Sequence, residues 1–244
     1  MNTRSITSIL ISIILLAGCT ENNNSPFTNL TMQPAVTEAD IPADIHRDSW
    51  ARLPTVKREN LDANGQRAFD MLTSRGNDYS AGLRGPVGMW MYSPEMAEGA
   101  WQLRQRVRYG TAKDQRLTEL TIISTAREIS NQYEFTAHAP LGVRAGLEQE
   151  IIDFVKYRHP MSEADGIPGM GDVEKLIIQF VREVVSEPKV SAETFATAVE
   201  LLGEEGVMDL TGLIGYYNLV AMTLKVFDVQ REPGSDLLLP MAAD

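Results

Sequence analysis

The feature that most constrains the fold is a helical period in the apolar residues, which runs from about residue 49 to residue 227. Apolar residues three and four positions apart lie on one face of a helix. Residues 172 to 186 show the period well, and their apolar face consists of Leu176, Ile177, Phe180, Val181 and Val184. No segment alternates between apolar and polar residues as a half-buried strand would. The pattern predicts an all-α fold in a single domain of roughly 190 residues.

The predicted helices differ in how much of their surface is apolar. Residues 206 to 227 are apolar on most sides, which predicts burial in the core or in a subunit interface. A separate helix is predicted to begin at the cap Ser191 and to end near Leu202. Ser93 and Pro94 predict the start of another helix, whose inward residues would be Met96, Ala100, Leu103 and Val107. The glycine-rich residues 82 to 88 predict a loop.

The N-terminus predicts export from the cytoplasm. Arg4 precedes an apolar run over residues 6 to 16, which is too short to span a bilayer. Small residues then lead to Cys19, and this ending resembles the bacterial lipobox. The resemblance implies that residues 1 to 18 are a signal peptide and that Cys19 carries the lipid. An uncleaved signal anchor with an incidental cysteine is the alternative.

The predicted location is the bacterial cell envelope. Thr20, rather than Asp, follows the cysteine. The sorting rule that this resembles favours the periplasmic face of the outer membrane if the host is Gram-negative. Residues 19 to 48 are rich in Asn, Thr, Pro and Ala and predict a flexible tether. The domain would then occupy residues 49 to 232, and residues 233 to 244 would form a C-terminal tail.

Composition excludes several functions. Cys19 is the only cysteine, so a lipidated mature protein would hold no thiol for a disulfide, a nucleophile or a metal site. The net charge of −11 argues against nucleic acid as a partner, because binding to phosphates needs clustered Lys and Arg. No spacing of His, Asp and Glu typical of a metal site is present.

One segment carries groups suited to proton transfer. Glu134 and His138 are four positions apart, so they share a helix face. A carboxylate beside an imidazole raises its pKa and fixes its tautomer, which suits a general acid–base pair. Glu119 interrupts an apolar helix stripe, so it is either buried with a partner or lines a cavity.

A purely structural role is equally open for these residues. Asn131 and Glu134 have the spacing of a capping box, in which the Glu134 carboxylate would bind the amide of the cap residue. His138 would then be a half-buried helix residue. Pro140 either interrupts a helix beside His138 or begins a separate helix.

The segment resembles the carboxymuconolactone decarboxylase and alkylhydroperoxidase D-like (AhpD-like) superfamily. The resemblance rests on Arg116, Glu119 and Leu120, on the run from Tyr133 to His138, and on flanking motifs between about residues 50 and 229. It implies an AhpD-like helical bundle. In the peroxidase branch, two redox cysteines stand at the positions of Asn131 and Glu134, so peroxidase activity by this chain's own thiols is excluded.

The resemblance is better to the decarboxylase-like branch, which works without a metal or an organic cofactor. It implies that His138 transfers the proton and that Glu134 and Glu119 set its charge and orientation. A substrate carboxylate would be held by Arg127, Arg116 or Arg84, for each of which a surface salt bridge is the alternative. Aromatic residues that could wall the pocket, or simply belong to the core, are Trp90, Trp101, Tyr133 and Tyr217.

Three functions follow as hypotheses. The first is acid–base chemistry on a small carboxylated molecule: decarboxylation, isomerisation or lactone chemistry. The second is a non-catalytic binding or scaffold lipoprotein, and the third is a residual redox role that uses a partner's thiols. The resemblance also implies a homotrimer or a hexamer, with which the apolar last helix agrees.

Overall fold

The computed structural model describes residue 27, residues 29 to 110 and residues 114 to 242. Over these residues the secondary structure is helical except for two strands of two residues each. The helices are α1 (Ala63–Leu72), α2 (Gly85–Trp90), α3 (Pro94–Arg104), α4 (Gln115–Glu128), α5 (Gln132–Arg144), α6 (Gln149–Lys156), α7 (Asp172–Ser186) and α8 (Ala192–Val226). The all-α prediction is confirmed. The predicted signal peptide and Cys19 lie outside the described residues.

Helix α4 lies at the centre of the bundle and packs against α5, α6, α7 and α8. It is buried from Thr118 to Glu128. Leu120 and Ile123 join an apolar cluster with α5, α6 and α7, whereas Ile122 joins a second cluster with α1, α2 and α3. Polar side chains on α4 are therefore enclosed between two apolar clusters, where they need partners within the protein.

Helix α8 contributes to both clusters and is interrupted at Gly203. The backbone there has φ 70° and ψ 168°, a conformation that favours glycine. This break confirms the two predicted helices on either side of it. Length and composition alone would allow α8 to cross a membrane, but half of its most apolar window is buried inside the domain, as in a core helix.

The inward face of α3 differs from the prediction. Ala100 and Val107 are buried, but Met96 and Leu103 are 42% and 41% exposed. A π-helical turn, Gln105–Tyr109, extends α3, and the residues that turn inward are Trp101, Arg104 and Arg108. The prediction was wrong because it assigned charged residues to the solvent face by default.

Residues 82 to 88 are likewise not all loop. The chain enters α2 at Gly85, where φ is 59°, and Pro86 lies in the first turn. Every residue of α2 is buried. Burial against α3 and α8 outweighs the low helix propensity of two glycines.

The first and last segments that the structure describes pair with each other. Strand β1 (Leu30–Thr31) pairs antiparallel with β2 (Met241–Ala242), and the amide of Val36 donates to the carbonyl of Ser235. Residues 29 to 48, which the composition assigns to the tether, therefore contact the domain, and Ile41 and Ile45 are buried there. Within the predicted tail, Leu239 is fully buried. Apolar side chains in both segments gain more from burial than a polar linker would.

Candidate active site

Helices α4 and α5 bring the predicted acid–base residues together. The side chain of Asp114 caps α4, and that of Asn131 caps α5 by accepting the amide of Glu134 at 2.9 Å. His138 Nδ1 lies 2.6 Å from Glu119 Oε2. Both side chains are almost fully buried, at 8% and 4% exposure. Pro140 lies inside α5, so it does not begin a separate helix.

Glu134 faces the imidazole rather than the helix cap. Its Oε2 lies 3.4 Å from His138 Nε2, whereas the amide of Asn131 donates to the carbonyl of Ala126 at 2.7 Å. Only the asparagine half of the predicted capping box is present. His138 is thus held between two carboxylates, Glu119 at one ring nitrogen and Glu134 near the other.

Arg108 and Tyr217 complete this network, and Arg108 was not among the predicted site residues. Arg108 Nη2 donates to Glu119 Oε1 at 2.6 Å, and its Nη1 donates to the Tyr217 hydroxyl at 2.9 Å. That hydroxyl lies 3.4 Å from His138 Nε2. The π-helical turn after α3 carries Arg108 into the core, and such turns are frequent at functional sites.

The surroundings of His138 favour its protonated form. Burial alone would lower the pKa of His138, but the hydrogen bonds and negative charges of Glu119 and Glu134 outweigh it and raise the pKa above 6.5. Burial raises the pKa of Tyr217 well above its usual value, so its hydroxyl stays neutral. The protonated pair Arg108 and His138 balances the two carboxylates.

A cavity of about 430 Å³ opens beside His138. Its polar lining comprises charged and tyrosine side chains: Asp78, Arg84, Arg104, Arg108, Glu134, His138, Tyr79, Tyr109, Tyr133, Tyr216 and Tyr217. Arg104 is paired with Asp78. Arg84 makes no ion pair with any described residue and is exposed; its guanidinium lies 6.0 Å from the Tyr79 ring centroid. The cavity therefore presents one cation that a substrate can use.

The rim between Arg84 and Tyr133 needs a glycine. A Cβ atom on Gly85 would lie 3.0 Å from the Tyr133 hydroxyl, and φ there is positive. The Tyr133 hydroxyl can therefore approach the main chain beside Arg84. Burial also raises the pKa of Tyr133, which keeps this hydroxyl as a neutral hydrogen-bond donor.

Three of the predicted substrate-binding residues lie elsewhere. Arg116 pairs with Glu148 and Glu174. Arg127 donates to the carbonyl of Pro240 at 2.6 Å. Trp90 donates from Nε1 to Thr223. None of these, nor Trp101, lines the cavity, so the predicted contacts of Arg116, Arg127 and Trp90 with the substrate do not fit the structure. Arg84, Tyr133 and Tyr217 do line it.

The described residues contain no metal centre of the usual kind. Among them, no group of three or more His, Cys, Asp or Glu side chains has the geometry to hold a metal ion. The sole cysteine of the chain is Cys19. What the arrangement offers chemically is a proton donor, a carboxylate pair that orients it, and a free guanidinium.

Comparison with known proteins identifies the fold. No protein-family model and no curated protein sequence matches the chain. Among solved structures, it is similar to the alkylhydroperoxidase AhpD core of an uncharacterized peroxidase-related protein from Ralstonia eutropha JMP134. The TM-score is 0.56 at 14% sequence identity, and the match covers 75% of this chain and 92% of that chain. The chain therefore has an AhpD-like helical fold, as the sequence resemblance implies.

Proposed function

We propose that this protein is a cofactor-independent acid–base enzyme that acts on a small carboxylated substrate by decarboxylation, isomerisation or lactone chemistry. The observation that supports this most is the position of His138. Its Nδ1 is hydrogen-bonded to Glu119 at 2.6 Å while its ring lines the cavity. A histidine oriented by a buried carboxylate and open to a cavity on its other side is suited to general acid–base catalysis.

Charge selects the class of substrate. In the cavity Arg104 is paired with Asp78, and the charges of Arg108 and protonated His138 are balanced by Glu119 and Glu134. The positive charge of Arg84 is therefore not balanced within the cavity. A single carboxylate on the substrate would neutralise it through a charge-assisted hydrogen bond. A dianion or a cation would fit less well.

The proposed step is proton transfer through Nε2 of His138. In a decarboxylation the bond between the substrate's carboxylate and the carbon that carries it breaks. CO₂ leaves, and the electron pair of that bond moves into the conjugated system of the substrate. His138 then gives its Nε2 proton to the carbon that gained this pair, and water restores the proton. Glu119 stabilises the imidazolium that forms again, and Arg108 fixes the position of Glu119 by its hydrogen bond to Oε1.

The carboxylates and the tyrosines have positioning roles in this scheme. Glu134 lies beside Nε2, so it raises the basicity of the ring without blocking the cavity. Tyr217 bridges Arg108 and His138 with its hydroxyl and keeps the ring perpendicular to its own, at an interplanar angle of 87°. Isomerisation would use the same group as the base and then as the acid.

A test that does not require the substrate to be known beforehand is solvent isotope exchange. The acyl-free protein is incubated in D₂O with a panel of unsaturated lactone carboxylates and small conjugated acids, and NMR follows deuterium at carbon and CO₂ release. Wild-type protein should catalyse deuterium incorporation or CO₂ release with at least one compound. His138→Gln should catalyse neither. Equal activity in His138→Gln would refute the assignment of His138 as the acid–base group. Saturable binding without exchange would favour a binding lipoprotein.

Thiol peroxidase chemistry is not part of the proposal, although the neighbour in the structure comparison is described as peroxidase-related. Peroxide reduction by this class of mechanism needs a thiolate. Cys19 is the only cysteine of the chain, and its proposed lipidation would remove it. A redox role would need thiols from a partner, and peroxide consumption by the purified protein with dithiol reductant tests it.

The cellular setting is also a proposal. Lipidation of Cys19 would place the domain at the bacterial envelope, on the periplasmic face of the outer membrane in a Gram-negative host. Mass spectrometry of the membrane-extracted protein should find acyl chains on Cys19 and no residue before it. We also propose a homotrimer or a hexamer. Apolar side chains exposed on α8, namely Met208, Met222 and Val226, support an interface there. A monomer in light scattering would contradict it.

A further inference from the structure

A second groove lies between α5 and α6 and shares no lining residue with the cavity at His138. It has a volume of about 450 Å³. The apolar residues that line it are Phe135, Ala139, Pro140, Val143, Ile152 and Leu238. Val143 at its edge is 52% exposed. Phe135, Ala139 and Ile152 are buried beneath it, so the groove offers an apolar floor and an exposed apolar edge to which another molecule or a membrane can bind.

The rim of this groove is basic in an acidic chain. Arg144 and Lys156 line it together with Gln149, and its lining contains no carboxylate among the described residues. Neither cation makes an ion pair in the part of the chain that the structure describes. On α6, Asp153 accepts the side-chain amide of Gln149 at 3.0 Å. The whole chain has a net charge of −11, so the charge of this rim is opposite in sign to that of the chain.

An exposed tyrosine extends the same surface. Tyr157 is 45% exposed, and the Lys156 ammonium lies 5.2 Å from its ring centroid. Lysine and arginine with long apolar stems, together with an amphipathic aromatic ring, are the side chains that suit the level of phospholipid headgroups. We name the surface formed by Val143, Arg144, Lys156 and Tyr157 the α5–α6 face.

Phe27, the described residue nearest in sequence to Cys19, lies close to this face. The Phe27 ring lies 4.2 Å from the Arg158 guanidinium carbon and 5.1 Å from that of Arg127. Arg127 in turn donates to the main-chain carbonyl of Lys156 at 3.3 Å. Phe27 follows Cys19 by eight positions, and eight residues span at most about 29 Å even when fully extended. A lipid on Cys19 would hold this side of the domain near the bilayer.

We propose that the α5–α6 face lies against the phospholipid headgroups of the leaflet that holds the acyl chains of Cys19. Val143 and Tyr157 enter the headgroup layer, and Arg144 and Lys156 contact lipid phosphates. The anchor and the face together fix the orientation of the domain, since a single point of attachment does not define an orientation. This inference rests on the proposed lipidation of Cys19 and is independent of the proposed catalysis.

The test uses the full lipidated protein in vesicles of phosphatidylethanolamine and phosphatidylglycerol. An acylated Cys19 does not react with thiol reagents, so Val143→Cys carries the only thiol and takes one fluorophore. Met96→Cys is the matched control, because Met96 is 42% exposed on α3, which packs against α1, α2 and α8. Headgroup-attached quencher lipids should quench the label at position 143 and leave the label at position 96 bright. Equal quenching at both positions would overturn the proposal.

Charge reversal provides a second readout. Each cation near an anionic leaflet contributes about fivefold in affinity, so Arg144→Glu with Lys156→Glu should abolish the quenching at position 143. Lys57→Glu with Arg67→Glu changes the net charge equally and should leave it intact. Mass spectrometry of the same samples distinguishes the proposed lipidation of Cys19 from the proposed contact of the α5–α6 face with headgroups. Acylated protein without selective quenching would refute the face alone, and protein without acyl chains would refute both the anchor and the face.

Discussion

Two buried carboxylates on α4, Glu119 and Glu128, each attract arginines, but they form clusters of different kinds. Glu119 binds Arg108 and His138, and the group opens onto a cavity. Glu128 binds Arg158 and accepts the Ser186 hydroxyl at 3.1 Å. Its side chain is only 2% exposed.

The charge balance of the two clusters differs. Around Glu128 the arginines outnumber the carboxylate, because Arg182 lies 3.7 Å from it and Arg127 is adjacent in sequence. Burial, together with repulsion from Arg158, lowers the pKa of both Arg127 and Arg182 to about 10, against the attraction of Glu128. Around Glu119 the pKa of His138 is raised.

The difference between the two clusters shows that a buried arginine indicates a functional site only where it pairs with groups that face a cavity. Arg127 donates to the main-chain carbonyls of Pro240 and Lys156, and Arg182 donates to that of His159. The Glu128 cluster thus fastens chain segments together. The Glu119 cluster instead holds a titratable ring beside empty space, which is the arrangement that proton transfer needs.

The largest effect expected from this contrast is on stability. Glu128→Gln removes the carboxylate that pairs with Arg158 and Arg182, and breaking such a buried pair costs about 3 kcal/mol. Urea unfolding should show this loss, while kcat of the folded protein stays unchanged. A change in kcat at undiminished stability would show that the Glu128 cluster belongs to the site.

The next effect is on rate. His138→Ala and Glu134→Ala should each lower kcat by about a hundredfold or more, because a general acid–base group contributes that much and Glu134 sets the charge of His138. His159→Ala is the matched control, since its ring is on the surface and bonded to Glu163. Steady-state rates on the substrate found by isotope exchange provide the measurement. Full activity of His138→Ala would contradict the assignment.

A smaller effect is expected on substrate affinity. Arg84→Gln should raise KM about tenfold, roughly 1.4 kcal/mol, because it removes one charged hydrogen bond to the substrate. Unfolding free energy should change little, since Arg84 has no ion pair in the described residues. Arg116→Gln should do the reverse, with lower stability and an unchanged KM, because Arg116 binds Glu148 and Glu174. A raised KM in Arg116→Gln and a lower stability in Arg84→Gln would instead assign substrate binding to Arg116.

The smallest effect is on the pH dependence of stability. The raised pKa of folded His138 means that its protonated form stabilises the fold fully below the unfolded pKa of about 6.5. This contribution is lost as the pH rises through the folded value. The free energy of unfolding should therefore fall over that window by less than about 1.4 kcal/mol per pH unit. His138→Gln should remove this slope, and an identical slope in the variant would contradict the shift.

The sequence predicts the fold well because helical periods, caps and the Gly203 interruption are local signals. Ser191, Asn131 and Pro94 begin helices as predicted. The pairing of Glu134 with His138 follows from their spacing of four on one helix. Glu119 was identified because a carboxylate within an apolar stripe needs a partner.

The remaining site residues depend on contacts between distant parts of the chain. Arg108 lies in a stretch with Arg104 and Arg106, and nothing local distinguishes the inward arginines from the outward one. Arg106 binds Glu205 and Asp209 on the surface of α8. The π-helical turn shifts the helix face and sends Arg108 to Glu119. The positions of Arg116 and Arg127 away from the cavity have the same cause, since their partners lie far away in sequence.

The proposed acid–base function depends on a protonatable imidazole of His138, held by Glu119 beside the cavity. NMR titration of its ring nitrogens tests this most directly. The chain has three histidines, and His138→Gln assigns the signal. The account predicts a pKa above 6.5 for His138 and a lower pKa in Glu119→Gln. A His138 pKa at or below 6.5, unaffected by Glu119→Gln, would contradict it.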